Sequence, residues 1–313
     1  MKRIFILILS VVSFISCDDG DIIVTSFDLG DDVAVNLCRT ASTNDPNNIN
    51  YVFYKINRET NETMALRIST TDPILSQLTT ESELYTYRLG NTNKLVYRRF
   101  DGTPDNSYFC NPIPPASPVS IEEFLGNDGT ITIATLGDLD DNDGIAEEFE
   151  VLLDGSEDLD GDGIPNYYDW DDDGDNVPTS SEGVALLEDG SIDYENSLDT
   201  DGDGIPNFMD PDDDGDGVLT RDEDKDGDLN PNNDVTDDSE GPDYLNAAVA
   251  VDYNINEYRE NPFAIKNITL TIDLQDVTFT NQNADETILT DNLSVWTYEA
   301  ASIQNTIKPE FVE

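Results

Sequence analysis

An internal repeat constrains the fold of this chain more than any other feature of its sequence. Residues 158–182 read DLDGDGIPNYYDWDDDGDNVPTSSE, and 41 residues later 199–223 read DTDGDGIPNFMDPDDDGDGVLTRDE, with 17 of 25 positions identical. Such agreement at one period indicates a duplicated structural unit rather than a drift in composition. Aspartates and glycines alternate through each unit, so each unit must fold as tight turns that bring carboxylates together.

Each unit contains two 12-residue loops with the ligand spacing that a hard cation such as Ca²⁺ requires. Aspartates stand at positions 1, 3 and 5, while position 6 carries a glycine, or Asn176, which tolerates a positive φ. Position 7 offers a backbone carbonyl, and positions 9 and 12 add side-chain oxygens. The sequence therefore predicts four calcium sites. Their ligands are Asp158, Asp160, Asp162, Ile164, Asn166 and Asp169; Asp171, Asp173, Asp175, Val177, Thr179 and Glu182; Asp199, Asp201, Asp203, Ile205, Asn207 and Asp210; and Asp212, Asp214, Asp216, Val218, Thr220 and Glu223.

The spacing of the loops separates them from the common helical calcium modules. Within each unit the loops start 13 residues apart, which leaves no room for the helices that flank an EF-hand loop or follow a dockerin loop. The motifs D-x-D-G-D-G-I-P-N-x-x-D and D-x-D-D-D-G-D-G-V, as they stand at 199–218, resemble the thrombospondin type 3 repeat. The resemblance covers 138–245. It implies calcium binding and a structural or adhesive role without catalysis.

Degenerate loops flank the four complete ones. Before them stand Asp138, Asp140, Asp141, Asp143 and Gly144, with one residue too many, and after them Asp222, Asp224, Asp226 and Gly227. We expect these flanking sites to bind calcium more weakly or not at all.

A solvated, disordered tail is the usual alternative for an acidic segment. Here 40 of the 68 acidic residues fall within 138–245, against two basic ones, Arg221 and Lys225. The acids nevertheless keep phase with glycines and with one apolar residue per loop, which favours ordered calcium loops. Without calcium, we expect repulsion between the carboxylates to disorder the segment. Tyr167, Tyr168, Trp170, Phe208 and Met209 are expected to pack neighbouring loops together.

The N-terminus predicts export from the cytoplasm. Residues 1–16 read MKRIFILILSVVSFIS, in which two basic residues precede an apolar stretch of about 13 residues, too short to span a bilayer about 30 Å thick. We interpret 1–16 as a secretory signal. Ser16-Cys17 resembles a bacterial lipobox, which implies cleavage before Cys17 and a lipid on that residue. Cleavage by signal peptidase with an incidental cysteine is the alternative.

The residues that follow predict the final location of the protein. Asp18, Asp19 and Asp21 resemble the surface-export tags of Bacteroidetes lipoproteins. We therefore expect a lipid-anchored protein of the outer membrane that is exposed on the cell surface. Its partners are expected to be the membrane, through the lipid on Cys17, and a cell-surface protein or glycan.

Two cysteines remain after Cys17. In an oxidising compartment Cys38 and Cys110 most simply form a disulfide. Two free buried thiols are the alternative. Metal binding by these cysteines is disfavoured, because the chain contains no histidine and only these two thiols besides Cys17.

The composition excludes several classes of function. Without histidine there is no Ser-His-Asp or Cys-His nucleophile and no histidine ligand for zinc. An enzyme would have to use carboxylates, as glycosidases do, and no catalytic pair stands out. A net charge of −53 contradicts nucleic-acid binding. We expect no enzymatic activity.

Outside 138–245 the chain alternates apolar and polar residues, which predicts β-strands. Residues 57–62 and 90–93 are rich in turn formers between alternating segments, so each predicts a hairpin. The fold class is mainly β: an antiparallel β-sandwich, its first part at 22–137 and its second at 246–313. Because 246–313 holds few strands, we favour one β-domain with the array at 138–245 inserted into it. Two small β-domains joined by the array are the alternative.

Two functions remain open from the sequence. The first is a calcium-stiffened structural or adhesion element. The second is a surface module that binds a glycan or a peptide, with the array positioning it. Aromatic residues on one outer face would favour the second function, and burial of the same residues the first. These residues are Tyr51, Tyr54, Tyr85, Tyr87 and Trp296.

Overall fold

A computed structural model describes residues 27–311 apart from 28, 31, 42–44, 46, 152–155 and 284–285. The signal segment 1–16, Cys17 and the acids at 18, 19 and 21 lie outside the described residues. The described chain is mainly β, as the sequence predicts. Its strands are β1 (Asn36–Ala41), β2 (Ile49–Asn57), β3 (Glu62–Thr70), β4 (Tyr85–Arg88), β5 (Lys94–Phe100), β6 (Ser120–Asp140), β7 (Asn261–Asn281), β8 (Thr287–Asn292), β9 (Trp296–Glu299) and β10 (Ile303–Ile307).

Helical structure in the described residues is confined to short turns. The single α-helical turn is α1 (Ser107–Cys110). The 3₁₀ turns are Glu147–Phe149, Asn166–Tyr168, Thr179–Ser181, Asn207–Met209, Thr220–Glu223, Pro231–Asn233 and Asp243–Leu245. None of these helices is long and apolar enough to cross a membrane.

Two 21-residue strands, β6 and β7, form the middle of the sheet. They pair antiparallel from Phe124 with Asn281 to Asp140 with Ala264. Shorter strands cover their outer edges, β4 and β5 along β6, and β8, β9 and β10 along β7. Register shifts near Gly126 and between Leu136 and Asp138 interrupt the pairing of β6 with β7. Such bulges bend long strands and increase their twist.

All ten strands belong to one antiparallel sheet that curls over its own core. Phe53 on β2 and Tyr298 on β9 meet edge to face, with ring centroids 5.9 Å apart, although their strands lie at different ends of the sheet. The core between them contains Leu66, Ile133 and Leu270, each 0% exposed. The predicted sandwich of two sheets is therefore not confirmed, because the strands are joined into one curled sheet.

One of the two predicted hairpins forms. β2 and β3 pair antiparallel across 57–62, with Asn57 opposite Glu62, as the sequence predicts. The prediction of a second hairpin across 90–93 is wrong, because β4 and β5 both pair with β6, one after the other along the same edge. Asn93 in the connecting turn donates from its amide to the carbonyl of Arg88 and accepts from the backbone of Ser69 on β3. These bonds hold the turn against the sheet.

The acidic segment connects the two central strands. β6 ends at Asp140 and β7 begins at Asn261, and the two residues lie near the same end of the sheet because Asp140 pairs with Ala264. Lys266 on β7 forms an ion pair with Asp140 at this point. Residues 141–260 thus leave one strand and return to its immediate neighbour.

Cys38 on β1 and Cys110 in α1 lie at disulfide distance, with Cα atoms 5.4 Å apart. Phe109 stacks on Tyr54 of β2 beside them, with ring centroids 4.3 Å apart. A bridge here fastens the 100–120 connection to the edge of the sheet.

We expect the mature protein to contain the Cys38–Cys110 disulfide. The Cys38→Ser, Cys110→Ser double variant should lose about 2 to 4 kcal/mol of unfolding free energy, because the unfolded chain is no longer closed into a loop. Urea unfolding of both proteins, together with mass spectrometry of a non-reduced digest, measures this. Peptides that separate without reductant would contradict it.

Candidate metal centre

Backbone amides hold the carboxylate at position 1 of each loop. In the first loop the N–H groups of Gly161 and Gly163 donate to the two oxygens of Asp158, at 2.8 and 3.2 Å. Asp199 accepts the equivalent bonds in the third loop, at 2.8 and 3.1 Å. Gly161 and Gly163 have φ values of 78° and 94°, a region that glycine enters without steric cost. The chain therefore wraps around the first aspartate.

The aspartates at positions 3 and 5 are held in the same way. Asp160 accepts from the N–H of Asp162 at 3.0 Å, and Asp162 accepts from that of Ile164 at 2.7 Å. The third loop repeats this pair of bonds at 2.9 and 2.8 Å, and the fourth at 3.1 and 2.9 Å. In these three loops one oxygen of each of the two aspartates thus orients its side chain, and the other is available to a cation.

The side chains at position 9 close the loops at their base. Asn166 accepts from the N–H of Leu159 at 3.0 Å, and Thr179 accepts from that of Asp172 at 3.1 Å. Asn207 and Thr220 accept equivalent bonds from position 2 of their loops, at 2.9 and 3.2 Å. The sequence predicts these four side chains as ligands, whereas the structure uses their oxygens to fasten backbone.

Carboxylate oxygens converge where the spacing predicts them. In the first three loops the oxygens at positions 1, 3 and 5 lie within 4.8 Å of one another. These groups are Asp158, Asp160 and Asp162; Asp171, Asp173 and Asp175; and Asp199, Asp201 and Asp203. In the fourth loop, burial first, and then the charges of Asp214 and Asp216 at positions 3 and 5, raise the pKa of Glu223 at position 12 to about 8.

The apolar residues at position 7, predicted to offer carbonyl ligands, differ in their surroundings. Ile164 and Val177 are buried, at 3% and 0% exposed, whereas Ile205 is 44% exposed and Val218 half-buried. Position 12 is likewise buried in the first, second and fourth loops, at Asp169, Glu182 and Glu223, and half-buried at Asp210.

Burial is greatest in the second loop. Asp173, Asp175 and Glu182 are 5%, 0% and 2% exposed. Both oxygens of Asp173 and Glu182, and Oδ2 of Asp175, are buried without a hydrogen-bond partner. Burial first, and then the neighbouring carboxylates, raise the pKa of each of these groups well above its ordinary value. An ionised carboxylate in such surroundings needs a cation, because burying unpaired charge is costly.

The second loop has Asn176 in place of glycine at position 6, and the amide of this side chain makes contacts that glycine could not. Its φ is 73°, so the turn is the same as in the other loops. Its amide oxygen accepts from the N–H of Arg259 at 2.9 Å, and its amide nitrogen donates to the carbonyl of Glu257 at 3.2 Å. The second loop is thereby joined to the segment that leads back into β7.

Aromatic residues of the array also contact that segment. The guanidinium of Arg259 lies 4.6 Å from the ring centroid of Trp170. Tyr168 meets Phe263 of β7 at 5.5 Å between centroids. The side chain of Asn261 accepts from the N–H of Trp170 at 3.0 Å and donates to the carbonyl of Tyr168 at 2.9 Å. Tyr168 and Trp170 thus join the array to the sheet. Phe208, expected to pack neighbouring loops together, is 1% exposed, and its ring lies 6.2 Å from that of Tyr194 in the connection between the two units.

Sequence reasoning missed two groups of carboxylates. The first is Asp172 and Asp213, at position 2 of the second and fourth loops, which are 4% and 2% exposed. The triplets DDD at 171–173 and 212–214 are the sequence signal, since the ligand spacing uses only their first and third residues.

The second group belongs to the degenerate loop before the array, where Asp141 and Asp143 are expected from the sequence and Glu150 is not. Asp141, Asp143 and Glu150 converge, with ligand oxygens within 4.8 Å. With Gly144 at position 6 these three residues occupy positions 3, 5 and 12, so this loop has the ordinary length and only Leu139 departs at position 1. The interpretation that it carries one residue too many is therefore corrected. The position of Gly144 is the signal that could have found the register.

Without calcium, we expect the array to become less stable as the pH rises. Burial first, and then neighbouring carboxylates, raise the pKa of Glu150, Asp169 and Asp213 to about 9 in the folded chain, from ordinary values of 4.5 and 3.8. The folded state then binds more protons than the unfolded state. The protonated carboxyl groups therefore contribute to the free energy of unfolding below about pH 4, and this contribution is lost as the pH rises through about 9. Circular dichroism of the protein in chelator should show the residual order of the array falling as the pH rises, and calcium should reverse the trend, since calcium binds carboxylates in their ionised form. A rise in stability with pH in chelator would contradict the expectation.

In comparisons with known proteins, no family model, no curated protein and no solved structure matches this chain.

Proposed function

We propose that this chain is a calcium-binding, surface-anchored lipoprotein with a structural or adhesive role and no catalytic activity. One observation carries the proposal. Asp173, Asp175, Glu182 and Asp213 lie in one buried region and hold seven oxygens there that lack a hydrogen-bond partner of normal geometry. Four carboxylates so placed repel one another unless a cation lies between them.

Calcium fits this set of donors better than other common metals. The clusters offer carboxylate oxygens, which suit hard cations, and the chain has no histidine to favour zinc or copper. Ca²⁺ accepts six to eight oxygens in flexible geometry, whereas Mg²⁺ demands a near-ideal octahedron and gives up water reluctantly. Short loops with several carboxylates therefore favour Ca²⁺.

The finer fold assignment belongs to the same proposal. We regard 138–245 as a thrombospondin type 3-like array inserted into a β-domain whose curled sheet takes the place of a sandwich. The repeated hydrogen-bond pattern of the first and third loops supports the array. The pairing of β6 with β7 on either side of it supports the insertion.

A lipid on Cys17 would hold the sheet close to the membrane. Phe27 is 3% exposed and belongs to the core, where its ring lies 4.1 Å from that of Phe279. The chain from Cys17 to Phe27 comprises ten Cα–Cα steps and can span at most about 35 Å, since an extended chain rises by 3.3 to 3.6 Å per residue. The lipid would keep the core of the sheet within that distance of the membrane.

The alternative, a module that binds glycans or peptides, has less support. Tyr51, Tyr54 and Trp296 are 5%, 2% and 2% exposed, so they belong to the interior. Tyr85 and Tyr87 are half-buried, and the hydroxyl of Tyr87 donates to Asp72 at 2.7 Å. These five residues do not form an exposed aromatic platform, which favours the structural role.

Calorimetry tests the proposal. We expect the metal-free mature protein to bind at least four Ca²⁺ with dissociation constants of about 10⁻⁴ to 10⁻³ M, as extracellular modules do, and Mg²⁺ more weakly. Fewer than two bound ions would refute calcium binding. Labelling with radioactive fatty acid tests the anchor: Cys17→Ser should abolish the label, and equal labelling of both proteins would refute lipidation.

A further inference from the structure

Asp172 and Asp213 are two buried acids that the 12-residue loops do not need. Each occupies position 2, which is not one of the ligand positions of a 12-residue calcium loop. The N–H of each donates to the threonine at position 9 of the same loop, at 3.1 and 3.2 Å, which fixes the backbone from which the carboxylate projects. Oδ1 of Asp172 and both oxygens of Asp213 are buried without a hydrogen-bond partner of normal geometry.

Asp213 lies against the preceding repeat. Its carboxylate, with those of Asp175 and Glu182, forms a group whose ligand oxygens lie within 4.8 Å of one another. The three residues are 2%, 0% and 2% exposed. Asp175 and Glu182 are positions 5 and 12 of the second loop, in the first unit, whereas Asp213 is position 2 of the fourth loop, in the second unit. This group therefore joins two units that are separate in sequence.

Asp172 is the equivalent acid of the first unit, 41 residues before Asp213, and is 4% exposed. The degenerate loop before it carries Asp143 and Glu150 at positions 5 and 12, the positions that Asp175 and Glu182 occupy in the second loop. Asp141, Asp143 and Glu150 converge within 4.8 Å, and each buries one oxygen without a partner. Burial first, and then the charges of Asp169, Asp141, Glu150 and Asp143, raise the pKa of Asp172 well above its ordinary value.

We propose that Asp213 and Asp172 are calcium ligands that complete the sites of the preceding loops, so that each ion bridges two successive segments of the array. The inference rests on the proposed calcium function and adds to it a connection between units. Three or four carboxylates supply the charge that a divalent cation requires, and six to eight oxygens can surround Ca²⁺. A bridge of this kind makes calcium binding in one unit depend on the docking of the next.

Asp213→Asn in the full mature protein tests the bridge. The substitution keeps the shape of the side chain and removes one ligand charge, so we expect one ion to bind at least about tenfold more weakly, since ligand charge tunes affinity. Hydrogen exchange should also quicken at 175–182, in the first unit, although the substitution lies in the second. Asp238→Asn is the matched control, because Asp238 is an exposed acid of the same segment, and it should change neither quantity.

The outcomes separate this inference from the calcium function. If the wild-type protein binds fewer than two ions, the calcium function itself fails. If it binds at least four, and Asp213→Asn leaves the binding and the exchange at 175–182 unchanged, only the bridge is refuted. Should Asp213→Asn fail to fold in calcium, Asp172→Asn takes its place. It should weaken the binding of one ion and quicken hydrogen exchange at 141–150. Unchanged ion binding and unchanged exchange at 141–150 would overturn the bridge.

Discussion

Removing calcium with a chelator is expected to unfold residues 141–260 and to leave the curled sheet folded. The 40 acidic residues of 138–245 face two basic ones, so the metal-free array has little to offset its repulsion. Among the residues that the structure describes, the core of the sheet includes none between 141 and 260, so the sheet keeps its apolar contacts when the array opens. Hydrogen exchange by segment measures this: amides of 158–223 should lose protection, and those of β2 and β3 should keep it.

Calcium add-back is the control for this experiment. Protection in 158–223 should return with calcium and return less with the same concentration of magnesium. Equal loss of protection in β2 and β3 would show that the array is part of the folding unit of the sheet. Unchanged protection in 158–223 would show that the array is ordered without metal.

Asp175→Asn is expected to have opposite effects on stability with and without calcium. Asp175 is 0% exposed, one of its oxygens lacks a partner, and it belongs to two carboxylate groups. With calcium, losing this ligand should cost the array about 3 kcal/mol, the equivalent of roughly 100-fold weaker binding of an ion. In chelator the same substitution removes a buried, repelled charge and should be neutral or stabilising.

Asp203→Asn is the matched control, since Asp203 occupies the same position 5 in the third loop. The carboxylate of Asp203 accepts a hydrogen bond from the N–H of Ile205 at 2.8 Å, just as that of Asp175 accepts one from Val177 at 2.7 Å. Unlike Asp175, Asp203 is exposed. We expect a smaller loss of stability with calcium and little change in chelator. Melting of the array in calcium, and hydrogen-exchange protection of 158–223 in chelator, measure both variants. Equal losses for Asp175→Asn in the two conditions would contradict a calcium-dependent role.

The loops could be read from the sequence because their chemistry is local. An aspartate at position 1 and glycines that allow a positive φ determine a turn within a few residues, so spacing alone predicts the convergence of Asp199, Asp201 and Asp203. The role of Asn207 was beyond this reasoning, because an amide oxygen can serve a metal or a backbone N–H equally well. In the structure this oxygen accepts the N–H of Thr200 at 2.9 Å.

Contacts between distant segments could not be predicted in this way. Asp213 meets Asp175 and Glu182 only because the second unit docks on the first, and no spacing within a loop encodes that docking. The same holds for the sheet. Apolar and polar residues alternate in β4 and β5, as they do in the strands of a hairpin. Pairing of both strands with β6 nevertheless outweighs this local pattern. Alternation predicts strands, but it leaves their partners open.

Anomalous scattering from a crystal grown in calcium tests the central claim most directly, because it locates the ions themselves. We expect a peak in the second loop, where the group of Asp171, Asp173 and Asp175 shares Asp175 with the group of Asp175, Glu182 and Asp213. Peaks are also expected in the first, third and fourth loops. A map from well-ordered crystals with no peak at either buried group would contradict the claim that calcium holds this array together.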